Sequence, residues 1–140
     1  MSIYSSSISN FMTKQVITTT VDQTLQSVCK SMYENNVGCL IVVKRNLVEP
    51  APVGIITERD IVKIIGSSEL FVGQAAIREF MTYPLITANP GTTISHAIEI
   101  MNKNKIRRLP VVDKGKEGDK LVGIISEKDI LRVIEKRKKG

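Results

Sequence analysis

Val53-Gly54-Ile55-Ile56-Thr57-Glu58-Arg59-Asp60 returns 69 residues later as Val122-Gly123-Ile124-Ile125-Ser126-Glu127-Lys128-Asp129. Each copy opens with residues suited to a buried strand and ends on a hydroxyl side chain followed three positions later by an acid, the pattern of a helix entrance. A strand that runs directly into a helix, twice and at constant spacing, points to a duplicated unit of mixed strand and helix.

Outward from that stretch the same register holds without a gap. Phe11-Met12-Thr13 meets Phe80-Met81-Thr82, Ile17-Thr18 meets Ile86-Thr87, Met32 meets Met101, and Val42-Val43 meets Val111-Val112. About a third of the positions from Phe11 to Ile65 are identical to their partners. Each copy begins with a short β-prone stretch, at residues 16–18 and 85–87. Leu25, Val28, Cys29 and Met32, and in the second copy Ile94, Ala97, Ile98 and Met101, then fall at i, i+3, i+4 and i+7. That spacing predicts a helix with one apolar stripe, and His96, off the stripe, is predicted at the surface. Apolar runs at 39–43 and 53–57, matched by 109–112 and 122–126, predict buried strands. Surface hairpin loops are expected at 44–52 and 113–121, and closing helices at 58–65 and 127–134. Short helical lead-ins are expected at 8–12 and 75–81.

The expected fold is therefore α/β (α+β), two β-α-β-β-α motifs forming one domain over residues 1–140. Motif one covers about 11–65, a linker about 66–73, motif two about 80–134, and a basic tail 135–140. A motif of this size buries too little surface to stand comfortably alone, and packing against its copy is the natural remedy.

Composition narrows the function classes. With 42% apolar residues the 140-residue chain can build a core. No apolar run is long enough to span a bilayer and the N-terminus carries no secretory pattern, so the cytoplasm is the expected compartment and no membrane partner is expected. Cys29 and Cys39 sit at apolar positions and are expected to pack as small hydrophobes. One histidine makes a conventional zinc site unexpected, and no metal is assigned. The sequence has no Ser-His-Asp arrangement and no phosphate loop of the Gly-x-x-x-x-Gly-Lys type, so catalysis is not expected. The net charge of +6 comes from the second half, since residues 1–70 hold six basic and six acidic side chains and residues 71–140 hold fourteen and eight. The tail Lys136, Arg137, Lys138, Lys139 is expected to be a solvated terminus. Nucleic-acid binding through this basic half is the alternative function, weakened by three Phe, three Tyr and no Trp for stacking.

The doubled Gly-apolar-apolar-[Thr/Ser]-x-x-Asp signature, with Ile17-Thr18, Ile86-Thr87 followed by Pro90, and Leu109-Pro110-Val111-Val112-Asp113, resembles the cystathionine β-synthase (CBS) domain-pair family over nearly the whole chain. The resemblance implies a non-catalytic sensor or regulatory module. Its ligand would be an adenosine nucleotide or adenosyl compound (AMP, ADP, ATP or S-adenosylmethionine) held in clefts between motifs. It implies a homodimer through the helices, a partner protein regulated in trans, and no catalytic cofactor. Carried over, one cleft would use Thr18, Thr20, Val37, Gly38 and Cys39 with Ile124, Ser126 and Asp129. The other would use Thr87, Asn89, Ile106, Arg107 and Arg108 with Ile55, Thr57, Arg59 and Asp60. An ionised carboxylate offers two oxygens to the adjacent 2′ and 3′ hydroxyls of a ribose. A helix entrance with a hydroxyl suits a phosphate, and Arg107, Arg108, Arg59 and Lys128 could neutralise it. Gly38-Cys39 stands where the second copy has Arg107-Arg108, so the two sites are expected to differ in charge. Without a ligand, Thr57-x-x-Asp60 and Ser126-x-x-Asp129 would read simply as helix capping boxes.

Overall fold

Thr24 and Thr93 begin the first helix of each copy in the same way. The hydroxyl of Thr24 accepts the N–H of Ser27 and that of Thr93 accepts the N–H of His96, both at 3.1 Å, satisfying a donor that the helix cannot. Helix α1 (Leu25–Asn35) ends on Asn36 in the left-handed conformation, and α3 (Ile94–Asn104) ends likewise on Lys105. Leu25, Val28 and Met32 are buried on α1, and Ile94, Ala97 and Met101 on α3, as the periodicity requires. His96 is exposed. These positions come from a computed structural model that describes residues 2–44, 51–67, 72–116 and 118–139.

The chain divides into two compact units, residues 17–85 and residues 1–16 with 86–140, and each is described by itself. In the 17–85 unit, β1 (Thr18–Thr20) runs parallel to β2 (Cys39–Lys44), which pairs antiparallel with β3 (Ala51–Thr57). Helix α2 (Glu58–Ser67) follows β3 at once. Leu25, Val28, Met32, Leu40, Val42, Ile56, Ile61 and Ile77 form its core. In the other unit, β4 (Arg108–Gly115) and β5 (Gly118–Ser126) form an antiparallel pair that leads into α4 (Glu127–Lys139). Its core gathers Ile8, Ile94, Ala97, Met101, Leu109, Val111, Ile125 and Ile130. A register shift interrupts the pairing at Val42/Val43 and again at the equivalent Val111/Val112, so the duplication extends to an irregularity of the ladder.

Several expectations are corrected. The lead-ins do form, as 3-10 turns at Ile8–Asn10 and Ile77–Glu79, but they change places. Ile8, ahead of the first copy, is fully buried in the core of the second, while Ile77, ahead of the second copy, is fully buried in the core of the first. Backbone bonds fix the exchange: Ile8 N–H to Thr92 O at 2.8 Å and Ile94 N–H to Ser6 O at 2.9 Å in one unit, Ile77 N–H to Gln23 O at 2.7 Å in the other. The boundary at residue 11 therefore moves to 17.

The first strand lies two residues later than expected, because pairing begins only where Ile41 N–H reaches Ile17 O at 3.1 Å. In the second copy it shrinks to a single parallel bridge, Ala88 with Val111; Pro90, without an N–H, follows it. The polar segment expected as a loop at 113–121 is mostly strand, since backbone pairing continues to Gly115 and Gly118 whatever the side chains. Residues 135–139, expected as a tail, continue α4. Glu, Lys and Arg are good helix formers, and the base-rich end complements the helix dipole. Residues 45–50 of the first expected hairpin loop and 68–71 of the expected linker lie outside the described residues.

Candidate functional site

The junction of β3 with α2 fixes the first acidic residue. Asp60 N–H donates to Thr57 Oγ1 at 3.2 Å, and Thr57 N–H donates to Asp60 Oδ2 at 2.9 Å. The junction of β5 with α4 repeats this at 3.1 and 2.9 Å for Asp129 with Ser126. Both capping boxes are therefore formed, and each carboxylate is held by its own helix entrance. This corrects the picture of a carboxylate with both oxygens free. Oδ2 already accepts one backbone N–H, so a diol must be met by Oδ1 and the remaining lone pair of Oδ2. The Thr57 and Ser126 oxygens accept an N–H and still have a proton to donate.

Around Asp60 the sheet gathers the other candidates of the same unit. Glu58 N–H donates to Gly38 O at 2.9 Å, which ties the entrance of β2 to the first turn of α2. Cys39 pairs with Thr57 and Ile41 with Ile55 across the ladder, so Val37, Gly38, Cys39, Ile55, Thr57 and Asp60 lie at one end of the sheet. Arg59 is exposed beside them. Thr18 and Thr20 lie on the edge strand β1 and line a depression of about 270 Å³, together with Thr19, Gln23, Ser27 and Ser31. Sequence reasoning missed the last three. Their spacing of four along the chain, opposite the apolar stripe, would have marked a polar stripe on α1.

The equivalent end of the other unit carries more charge. Glu127 N–H donates to Arg107 O at 2.8 Å, and Arg107 Nε lies 3.8 Å from Glu127 Oε2 at the surface. Arg108 pairs with Ser126 across the ladder, so its side chain stands on the same face as the Ser126 hydroxyl. Ile106 precedes them and Ile124 pairs with Pro110. The two arginines thus flank the Ser126–Asp129 entrance of their own unit, whereas the family likeness had grouped them with Asp60. Arg132 Nη1 lies 3.8 Å from Asp129 Oδ1. Thr87 and Asn89 flank the bridging Ala88, and Asn89 turns its Oδ1 to Gly91 N–H at 2.9 Å, which leaves its amide NH₂ outward-directed chemistry to offer. The halves expected to meet across motifs belong to different units. Among the described residues no three His, Cys, Asp or Glu side chains gather as a metal-holding group.

A doubled strand-to-helix signature, each copy with its acid locked in a capping box, is also what the family comparison selects: the CBS domain model matches residues 8–67 and 77–136. The chain belongs to the CBS domain family. CBS domain-containing protein YhcV of Bacillus subtilis is 34% identical over 125 residues, which cover 89% of this chain and 83% of YhcV. Protein MK0525 of Methanopyrus kandleri is 33% identical over 120 residues, 86% of this chain but only 58% of that protein. Among solved CBS structures, the domain pair of MJ0100, in complex with 5′-methylthioadenosine and S-adenosyl-L-methionine, is 27% identical with a TM-score of 0.81 and covers 94% of this chain and 98% of that one. MJ1225 of Methanocaldococcus jannaschii is 33% identical with a TM-score of 0.80, covering 94% of this chain and 48% of that one.

Proposed function

We propose that this CBS chain is a regulatory module that binds an adenosine nucleotide or adenosyl compound and acts on a partner protein in trans. The observation that carries the reading is the acid fixed at the mouth of each closing helix, Asp60 and Asp129, each with Oδ1 remaining for a ligand beside a hydroxyl that can still donate. A ribose diol matches that pair of groups. The base would be taken by the strand-entrance residues Thr18, Thr20, Val37, Gly38 and Cys39, or by Thr87, Asn89 and Ile106. Binding of an adenosyl compound by the related MJ0100 pair supports the ligand class.

Arg107 and Arg108 beside Ser126 favour a ligand with phosphate groups at that entrance. Gly38 and Cys39 at the equivalent place beside Thr57 favour a ligand with less negative charge there. Ligand binding would favour one of two conformations, and the partner would read the change.

A melting-temperature series with AMP, ADP, ATP, S-adenosylmethionine, NAD and a short RNA tests the reading. An adenosine compound at about one hundred times its dissociation constant should add roughly 2.7 kcal/mol, several degrees for a domain of this size. A shift with RNA alone, with a steep dependence on salt, would instead mark the basic half as a nucleic-acid surface.

A further inference from the structure

Helix α2 leaves two large apolar side chains in water, Val62 at 71% and Ile65 at 61% exposure, on one face with Glu58. Helix α4 exposes Leu131, the repeat equivalent of Val62, at 56% on a face shared with half-buried Ile134 and exposed Lys138. Side chains four and three or seven apart share a helix face, so each helix offers a short apolar stripe that its own unit does not cover. We propose that a second copy of this chain covers them head to tail, α2 of one copy lying antiparallel against α4 of the other.

Charge selects the cross pairing over like against like. By sequence the unit made of residues 1–16 and 86–140 carries fourteen basic and seven acidic side chains, and the 17–85 unit carries six and seven. Like pairing would set a net +7 against +7, whereas cross pairing sets +7 against −1 at each contact. At physiological salt such a difference is felt over about 8 Å, the separation of packed helices.

The helix ends agree. The first turn of α2 holds Glu58 and Asp60 and its last turn has no base, while α4 ends on a basic run. Antiparallel cross pairing places Leu131 against Ile65, Ile134 against Val62, and Glu58 near Lys138. Pairing α2 with α2 leaves Glu58 facing a helix end that has no base. Extension of α4 beyond the length of α2 is peculiar to the second copy; the shared fold does not require it.

Cross-linking tests the orientation. The Ile65→Cys and Leu131→Cys proteins are treated with a short thiol-reactive linker, singly and after mixing and exchange, and mass spectrometry identifies the joined peptides so that Cys29 and Cys39 need not be replaced. Cross pairing predicts a link between positions 65 and 131 of different copies in the mixed sample. Links of 65 to 65 or 131 to 131, a monomer by sedimentation, or a dimer with no 65–131 link would each overturn it. A charge swap gives an independent reading: Glu58→Lys and Lys138→Glu should each raise the dimer dissociation constant roughly two- to five-fold, and the doubly substituted protein should return toward the original value. Failure of the double substitution to recover any affinity would contradict the pairing. Nucleotide binding plays no part in either test.

Discussion

Ser126 and Asp129 hold one another twice, Ser126 N–H donating to the Asp129 carboxylate at 2.9 Å and Asp129 N–H donating to the Ser126 hydroxyl at 3.1 Å. The same reciprocal pair joins Thr57 and Asp60. One residue pair thus starts a helix and fixes the orientation of a carboxylate, so the structural and ligand-binding readings of the motif coexist. Fixing the side chain in advance removes part of the ordering cost of gripping a diol.

The two roles separate by substitution. Thr57→Ala and Ser126→Ala should each cost about 1 kcal/mol of stability, the usual worth of an N-cap, read from urea unfolding midpoints. Asp60→Asn and Asp129→Asn retain an oxygen acceptor for the cap and should melt close to the original protein. Each should nevertheless weaken one site by about 1.5 to 3 kcal/mol, the range for a hydrogen bond to a charged group, read by calorimetric titration.

Gly54 and Gly123 belong to the signature for a packing reason. A Cβ on Gly54 would lie 2.9 Å from Met81 Sδ and 2.9 Å from Thr82 O, and one on Gly123 would lie 2.6 Å from Met12 Sδ and 3.0 Å from Thr13 O. The methionine can swing away, but the carbonyl belongs to a backbone bridge, Ile55 with Thr82 and Ile124 with Thr13. Gly54→Ala and Gly123→Ala should each destabilise by about 1 to 3 kcal/mol, the cost of overpacking a core, in chemical denaturation.

The exchanged lead-ins make a prediction about location. Ile8→Ala should cost about 2 to 5 kcal/mol, and in hydrogen exchange it should loosen α3 and β4 while leaving α1 and β2 protected. Ile77→Ala should do the reverse. If Ile8→Ala loosened α1 instead, the assignment of the lead-in to the second copy would be wrong.

How much of this could be read from the residues depends on how local the cause is. Helices α1 and α3 were legible because Leu25, Val28 and Met32, and Ile94, Ala97 and Met101, carry the core contact at helical spacing. The pairs Thr57/Asp60 and Ser126/Asp129 were legible for the same reason, three residues being the reach of a helix cap. The destination of Ile8 and Ile77 was not, since an apolar residue in a short lead-in does not say which of two similar cores receives it. Lys114, Gly115, Gly118 and Asp119 read as a loop by side chain, yet backbone pairing carries the ladder through them. The setting of Arg107 and Arg108 beside Ser126 needed the register of β4 with β5, which no local pattern gives.

Cys29 offers a check on the core of the 17–85 unit. Burial pushes its thiol up from the ordinary range, so at neutral pH even less of it is thiolate than in an exposed cysteine. Iodoacetamide at pH 8 should label Cys29 more slowly than a cysteine in an unfolded peptide, and denaturant should abolish the difference. Labelling at the unfolded rate in the native protein would show that α1 does not cover it.

The most direct measurement compares calorimetric titrations of an adenosine nucleotide and of its 2′,3′-dideoxy counterpart against the same protein. The account predicts that the ribonucleotide binds, that loss of the diol weakens binding by at least about tenfold, or 1.4 kcal/mol, and that Asp60→Asn with Asp129→Asn abolishes the distinction. Equal affinity for both compounds, in the original protein, would contradict it.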